Sequence, residues 1–413
     1  MHIEKFEDRD GIAALGPVWD RLYHEDEDAL FFLSWPFMAQ VLAQKDARWR
    51  VLVAREQGAE GRIIGLLPLR IDTFWSRSRR TWHNEVQLAG RHHWGQYNGF
   101  LCASSREAEV ASAFGTYLAT MPWSRMSMRY LHLSPRRRQA FLRPLEEAGT
   151  RIEEHEIRIN KGTVDNLVCP HIELPSDYDA WLGSLASGNA RQKLRRFARK
   201  VENDSELRLT VADASTLERD LDALIGLWTQ KWAESTGAHT RRRAARYRHI
   251  LTSLAAAGSL HLPVLWRGDR PLGAMGYAVD RQKPAVYFLI AGRDESEPLP
   301  FVGWALHAHG IRWAIENGAR RYDFCHGDEA YKFAYGATRL RLSYVTVRRP
   351  GGRNPQGRLD PATFDDARAI LADGRHTGDP RESGKAARAL EVQRCQTVPR
   401  LSAGDPGSIA RLP

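Results

Sequence analysis

Between residues 177 and 349 the hydrophobic pattern fixes an order of elements that few folds can satisfy. The apolar period is helical over 177–203, with a break near Ser187-Gly188-Asn189, and strand-like over 207–211. Two helical stretches follow, 220–234 and 241–256, and then three strand-like runs in close succession at 260–266, 272–279 and 285–291. A helix over 301–317, a short strand at 321–325 and a last strand over 339–349 complete the series. Interleaved helices and closely spaced strands require a mixed sheet covered by helices, an α/β (α+β) arrangement.

A looser version of the same order occupies the first 160 residues. Strands are expected at 2–6, 81–88 and 126–133, with a hairpin formed by 50–54 and 63–71. Helices are expected at 11–23, 35–44, 108–120 and 136–148. The periodicity fades between 159 and 170, so the chain reads as two tandem domains, 1–160 and 161–349. Its 413 residues fit two cores plus an extra segment. From Pro350 onward 7 of the 20 prolines occur and there is no tryptophan or tyrosine. Residues 350–413 are therefore expected to form a disordered tail, with a transient helix at 362–372.

The formal charge of +10 favours anionic partners: nucleic acid, a nucleotide cofactor or a membrane surface. A solvated arginine-rich surface would give the same balance. Cys102, Cys169, Cys325 and Cys395 lie far apart and form no CxxC, which argues against a zinc cluster and a disulfide framework. The N-terminus carries charges where a signal peptide needs an apolar run, and no uncharged apolar stretch reaches about 18 residues. The expected setting is cytoplasmic, with peripheral contact to an anionic membrane left open.

Chemistry concentrates in Tyr322-Asp323-Phe324-Cys325-His326-Gly327-Asp328-Glu329-Ala330-Tyr331-Lys332-Phe333-Ala334-Tyr335-Gly336. Apolar residues before Asp323 form a strand, Gly327 permits a sharp turn, and Asp328 is placed to cap a short helix. Carboxylates, an ammonium, an imidazole and phenols then crowd one turn. A salt-bridged loop would use the same residues.

The run Tyr-Asp-Phe-x-x-Gly-Asp-Glu-x-Tyr-Lys-x-x-x-Gly resembles the C-terminal signature of the CelD/BcsL-type acyltransferases of the GNAT superfamily. Its ending, Tyr-Lys-Phe-x-Tyr-Gly, is also similar to a segment of the Fem peptidyltransferases, which have a double-GNAT architecture. A weaker resemblance extends over residues 170–345, through the basic helix 191–201, Leu227-Trp228-x-x-Lys231-Trp232, Gly273 and Tyr287-Phe288-Leu289. The resemblance implies two tandem GNAT-like domains and transfer of an acyl group from coenzyme A, acetyl or longer, with no metal. Lys332 inherits the role of oxyanion stabiliser, because a cation in a dry site suits charge developing on a carbonyl oxygen. Asp323, Glu329 or His326 is the base for an acceptor amine or hydroxyl, and Tyr331 the source of the proton for the leaving thiolate.

The same resemblance puts the donor at the strand 285–291, through Leu289 and Ile290, and at the helix start Val302-Gly303-Trp304. There a helix dipole and unpaired amides favour phosphate. The usual Gly-rich fingerprint is absent and an insert, 292–300, precedes the helix, so a carrier protein or aminoacyl-tRNA remains an alternative donor. Arg195 and Arg199 share one helix face with Arg191 and suit phosphate, with 241–243 and Arg246 as an extension, unless these faces are simply solvated. Residues 87–100 mix aromatic and polar groups as acceptor pockets do, which nominates Tyr97 and Asn98, although an ordinary loop has the same composition. Lys231 and Trp232 are placed to line the cleft, Trp232 serving equally as core. The expected acceptor is a polysaccharide precursor or an amino-lipid such as a long-chain base. The alternatives are Fem-like transfer from aminoacyl-tRNA, the one nucleic-acid partner considered, and a binding protein that keeps the fold without the chemistry.

Overall fold

The computed structural model describes residues 1–236, 238–296, 301–373 and 380–397. The N-terminal unit begins with β1 (His2–Phe6), α1 (Arg9–Ala14), α2 (Gly16–Glu25) and α3 (Trp35–Leu42). The strands β2 (Arg48–Arg55), β3 (Ile63–Ser76) and β4 (Thr81–Leu88) form an antiparallel meander. A short strand β5 (Leu101–Cys102), helix α4 (Glu107–Thr120), β6 (Arg125–Leu131), α5 (Pro135–Glu147) and β7 (Arg151–Glu154) follow. A small hairpin, β8 (Arg158–Ile159) and β9 (Val164–Asp165), leads into β10 (Val168–Glu173).

The second unit runs α6 (Tyr178–Ser184), α7 (Gly188–Asn203), β11 (Leu207–Val211), α8 (Leu217–Thr236) and α9 (Ala238–Ala256). Then come β12 (Leu260–His261), β13 (Pro263–Arg267), β14 (Arg270–Asp280) and β15 (Ala285–Arg293). After α10 (Phe301–Glu316) the chain forms β16 (Arg321–Asp323), α11 (Ala330–Phe333) and β17 (Thr338–Arg341). It ends with β18 (Ser343–Arg348), α12 (Phe364–Asp373) and α13 (Pro380–Thr397).

The strands make two mixed sheets flanked by helices, as expected of two tandem GNAT-like domains. One has the order β1-β2-β3-β4-β6-β18-β7, with β5 on β3; the other has β11-β13-β14-β15-β16-β10-β17, with β12 on β14. The single strand expected over 339–349 is thus two strands that enter different sheets. Leu342 makes the step, its N–H donating to Leu167 O at 2.8 Å. Alternation with period two marks a strand but says nothing of which sheet receives it. In consequence β18, α12 and α13 belong to the first unit.

Helices cover both faces of the first sheet. On one face α4 and α5 pack so closely that a Cβ at Gly115 would lie 2.3 Å from Phe141 O. The other face carries α2, α3 and the aromatic run after them, and its core is continuous with the second unit. Trp19, Phe31, Phe32 and Val41 share one buried cluster with Ile250, Ala278, Tyr287 and Cys325. The Phe31 ring stacks on Tyr287 at 5.9 Å. At the interface Gln282 also donates to Asp20 at 2.9 Å, and Lys283 to Ala29 O at 2.7 Å.

Of the expected tail 350–413, residues 374–379 and 398–413 lie outside the described residues. The helix expected at 362–372 is α12. Together with α13 it encloses Trp82, whose indole N–H donates to Ala386 O at 2.9 Å. Trp82, Leu359, Phe364 and Leu390 form a separate apolar cluster, so residues 350–373 and 380–397 differ from the expectation of disorder. The segment lacks Trp and Tyr of its own but borrows Trp75 and Trp82 of the first sheet, a source of burial that its own composition does not contain. Asp360 fixes it further, accepting from Arg50 Nη1 at 2.6 Å and Nη2 at 2.9 Å, with Arg50 only 2% exposed. Replacing Asp360 with Ala leaves that guanidinium with Glu7 alone and should cost about 3 kcal/mol in urea denaturation.

Candidate active site

The second sheet opens at its centre. Parallel pairing of β15 with β16 is confined to Ala285–Arg321, Val286–Tyr322 and Tyr287–Asp323. Beyond Tyr287, β15 runs on with β14, while the chain after Asp323 stays with β10 through Phe324 N–H to Pro170 O at 2.9 Å and Gly327 N–H to Val168 O at 2.8 Å. The two central strands therefore diverge. At the same level β15 bulges: Tyr277 faces Phe288 and Gly276 faces Ile290, so Leu289 is the extra residue outside the ladder. A side chain at Gly276 would meet Leu251 at 2.9 Å, which reserves that position for glycine.

The N-terminus of α10 lies on the α7 side of the second sheet. Phe301 and Val302 are buried, Val302 against Gly273, whereas a Cβ at Gly303 would meet nothing within 4 Å. Lys200 sits 4.2 Å above the Phe301 ring and Lys193 5.8 Å above that of Trp304. The helix α7 thus turns Lys193, Phe197 and Lys200 toward α10 and leaves Arg195 and Arg199 exposed to solvent. Arg195 and Arg199, expected to grip phosphate there, face solvent instead, and the cations beside the start of α10 are Lys193 and Lys200. The apolar stripe sets which face docks, and the lysine stems flank Phe197. Of the insert 292–300, residues 297–300 lie outside the described residues.

A cavity of about 530 Å³ lies between the two units, and its wall includes Leu289. The first unit contributes Phe31, Phe37, Arg91, Trp94, Gln96 and Tyr130; the second contributes Arg243, Arg246, Tyr247, Ile250 and His326. Asn98 shapes this wall without reaching it. Its amide donates to Gly95 O at 2.9 Å and Arg129 O at 3.1 Å, and its Oδ1 would lie 2.5 Å from a Cβ at Gly90. The loop that carries Arg91, Trp94 and Gln96 is thereby pinned. Tyr97 is 1% exposed and donates to both carboxylate oxygens of Asp323, at 2.8 and 2.7 Å. Tyr97 and Asn98 are corrected from acceptor contacts to supports.

Within the motif, only His326 joins the cavity wall. Asp323 is fully buried and accepts from Tyr97, from Arg321 Nε at 3.0 Å and Nη2 at 2.9 Å, and from Cys325 N–H at 2.7 Å. Such a carboxylate is spent on structure, which corrects its expected role as base. Lys332, 3% exposed, donates to His326 O at 2.9 Å and Gly327 O at 2.8 Å and pairs with Glu329 Oε2 at 2.9 Å. Two hydrogen bonds to backbone carbonyls and an ion pair make Lys332 a clamp on the turn, turned toward its own backbone and away from the cavity wall. Glu329 is bound to the same clamp and is not a free base. Gly327 makes the turn possible twice over, by its φ of +100° and because a Cβ there would lie 2.6 Å from Glu329 Oε2. Asp328 caps nothing; it accepts from Asp165 N–H at 2.7 Å, and Glu329 is the residue before α11.

His326 faces Tyr130 at 5.2 Å between ring centres. Burial first, and then the Lys332 charge, push its imidazole down to about 4, with Arg91 and Arg243 acting in the same direction. The ring is therefore neutral at physiological pH and able to take a proton. Tyr331 is 40% exposed and lies 5.8 Å from the His307 ring of α10. Ile290 is buried among Leu224 and Trp228 on the α8 side. Lys231 and Trp232 lie outside the cavity, near the end of β15, with Lys231 3.6 Å from Glu295. Among the described residues no group of three His, Cys, Asp or Glu side chains is placed to hold a metal ion.

Residues 188–333 match the family model described as an acetyltransferase (GNAT) domain. The chain thus carries a GNAT-type acyltransferase domain, and it is an acyltransferase. No curated protein sequence matches it. The crystal structure of FemX is similar over 83% of this chain and 96% of its own, with a TM-score of 0.55 and 12% identity. The C-terminal domain of a putative lysylphosphatidylglycerol synthetase from Agrobacterium fabrum covers 83% of this chain and 93% of its own, with TM-score 0.47 and 12% identity. A tandem GNAT protein from the clavulanic acid biosynthesis pathway covers 84% and 98%, with TM-score 0.45 and 11% identity. At these identities the FemX likeness establishes the two-unit fold alone. The clamp has its own consequence: Lys332→Met should lower stability by about 3 kcal/mol in urea denaturation, because two carbonyls and a carboxylate lose their buried cation.

Proposed function

We propose that this chain transfers an acyl group from a coenzyme A thioester to an amine or hydroxyl of an acceptor seated between the two units, as a CelD/BcsL-type enzyme. One observation carries the reading: Leu289, the bulged residue of the diverging strand, also walls the inter-unit cavity. A thioester lying along β15 would there meet an acceptor beside His326. The donor's phosphates would take the α10 N-terminus, with Lys193 and Lys200 supplying charge. Val302, Gly303 and Trp304 contribute backbone amides to this site.

In the proposed step the acceptor nitrogen or oxygen attacks the thioester carbon, the C–S bond breaks and the thiol leaves. His326 takes the acceptor's proton, and Tyr331 returns one to the thiolate. Charge on the carbonyl oxygen would fall to the unpaired backbone at the Leu289 bulge. Lys332, Glu329 and Asp323 act as positioning residues that hold His326 on the cavity wall. The lining, apolar at Phe31, Phe37 and Ile250 and cationic at Arg91 and Arg243, supports an amphipathic acceptor: an amino-lipid or a polysaccharide precursor. Fem-like transfer from aminoacyl-tRNA is the second reading, supported by the two-unit fold shared with FemX.

Thiol release from acetyl-CoA and longer acyl-CoA tests the donor, and release that requires charged tRNA overturns it. His326→Gln should reduce kcat/KM by about 100-fold or more with folding intact. A base is competent only when unprotonated, so the rate should be full above its pKa and fall below it. The acid limb of kcat/KM should therefore lie near pH 4 and not near 6.5. At the donor site, Lys193→Glu with Lys200→Glu should raise KM for acyl-CoA about tenfold while leaving kcat nearly unchanged.

A further inference from the structure

We infer that the inter-unit cavity takes an acceptor bearing an anionic group, a phosphate or a carboxylate, together with hydroxyl or amine donors; the inference rests on the acyl-transfer reading and names its acceptor class. Arg91, Arg243 and Arg246 line the cavity, and among the described residues none of them pairs with a carboxylate. The contrast lies within one helix: Arg248 of α9 pairs with Glu218 at 3.1 Å and with Asp222. The cavity arginines rest instead on aromatic faces. Arg91 lies 5.1 Å from the Tyr130 ring centre, and Arg243 and Arg246 lie 5.7 and 5.6 Å from that of Trp94. Rings of this kind orient guanidinium groups but leave their charge without a counter-ion. Planar forks around one concavity suit the bidentate geometry of a phosphate or carboxylate.

Two amides add a second, independent signal. Gln96 and Asn166 line the same cavity, 7% and 5% exposed, and Gln96 Oε1 and Asn166 Oδ1 are buried without a partner. The Asn166 amide nitrogen already donates to Tyr130 Oη at 2.7 Å, leaving its carbonyl end for a donor on a ligand. Buried acceptors left unpaired cost free energy that a ligand hydroxyl or amine would recover. The donor's own phosphates do not account for the arginines, since the α10 N-terminus with Lys193 and Lys200 stands apart from this cavity wall. A neutral acceptor would leave Arg91, Arg243 and Arg246 unmatched, as well as Arg242 of the same lining, and a site built around charge discriminates against such a molecule.

The test is the response of the His326 imidazole resonance, in the full chain with ¹³C-labelled histidine, to inorganic pyrophosphate, succinate and glucose. Pyrophosphate or succinate, whichever chemistry the acceptor carries, should displace the resonance in the wild type, and glucose should not. Arg91→Met and the solvent-exposed Arg246→Gln should each weaken that response about tenfold, with Arg91→Lys recovering part of it. Silence toward both anions, an equal response to glucose, or variants that respond like the wild type would overturn the proposal. The readout is binding, so it separates from turnover. An anion response without thiol release from any acyl-CoA keeps the anion site and removes the donor reading; release without an anion response does the reverse.

Discussion

A single carboxylate ties the two units to the motif. Asp323 has no exposed surface, and its partners come from three places: Tyr97 of the first unit, Arg321 of its own strand and the backbone N–H of Cys325 in the turn. Removing a charge from water is costly, and only a complete set of hydrogen bonds offsets that cost. The set here is complete only when the loop bearing Tyr97 is docked and Cys325 adopts its φ of +55°. Docking of the units and the shape of the turn are therefore one event. Lys332 continues the same logic, fastening the carbonyls of His326 and Gly327, so that the imidazole emerges on the cavity wall.

Much of this was legible in the residues, and the parts that were not share a cause. Strand and helix periods located most of the longer elements, though not β7, β10 or α13, and Gly327 announced its turn, because those signals are local. Lys332 was placed at the oxyanion by charge and spacing, which do not reveal that its ammonium meets the carbonyls of His326 and Gly327. Arg195 and Arg199 drew attention by alignment along a helix, yet docking of α7 is set by Phe197 and brings Lys193 and Lys200 to α10. The exchange of β18 into the first sheet and the burial of Trp82 beneath α13 depend on partners hundreds of residues away. Tyr97 and Asn98 lie in a segment that its composition singled out, but the side chains that reach the cavity include their neighbours Arg91, Trp94 and Gln96.

Strand exchange bears directly on the cavity. Since β10 sits between β16 and β17 in the second sheet, and β18 between β6 and β7 in the first, each sheet depends on chain that crosses the interface. Separation of the units would also open the cluster that joins Phe31 and Phe32 to Tyr287. Hinge opening between the units is consequently expensive, and the cavity is formed before any ligand arrives. Preformed walls lower the ordering cost of binding. They also demand that polar atoms left unpaired in them be matched by whatever enters.

That demand links the proposed acceptor to the proposed base. His326 is held neutral partly by cations, Lys332 behind it and Arg91 and Arg243 across the cavity, with Tyr130 the uncharged ring against which it packs. An anion placed among Arg91, Arg243 and Arg246 would offset two of those charges and raise the affinity of the imidazole for a proton. A base is more effective the closer its pKa lies to the working pH. The free site would then hold a weak base, and the acceptor would strengthen it on arrival. Water, a nucleophile without such an anion, would meet only the weak form, which favours transfer over hydrolysis of the thioester. Selectivity on this account comes from the same charges that seat the acceptor, because the group that binds is also the group that tunes the proton transfer.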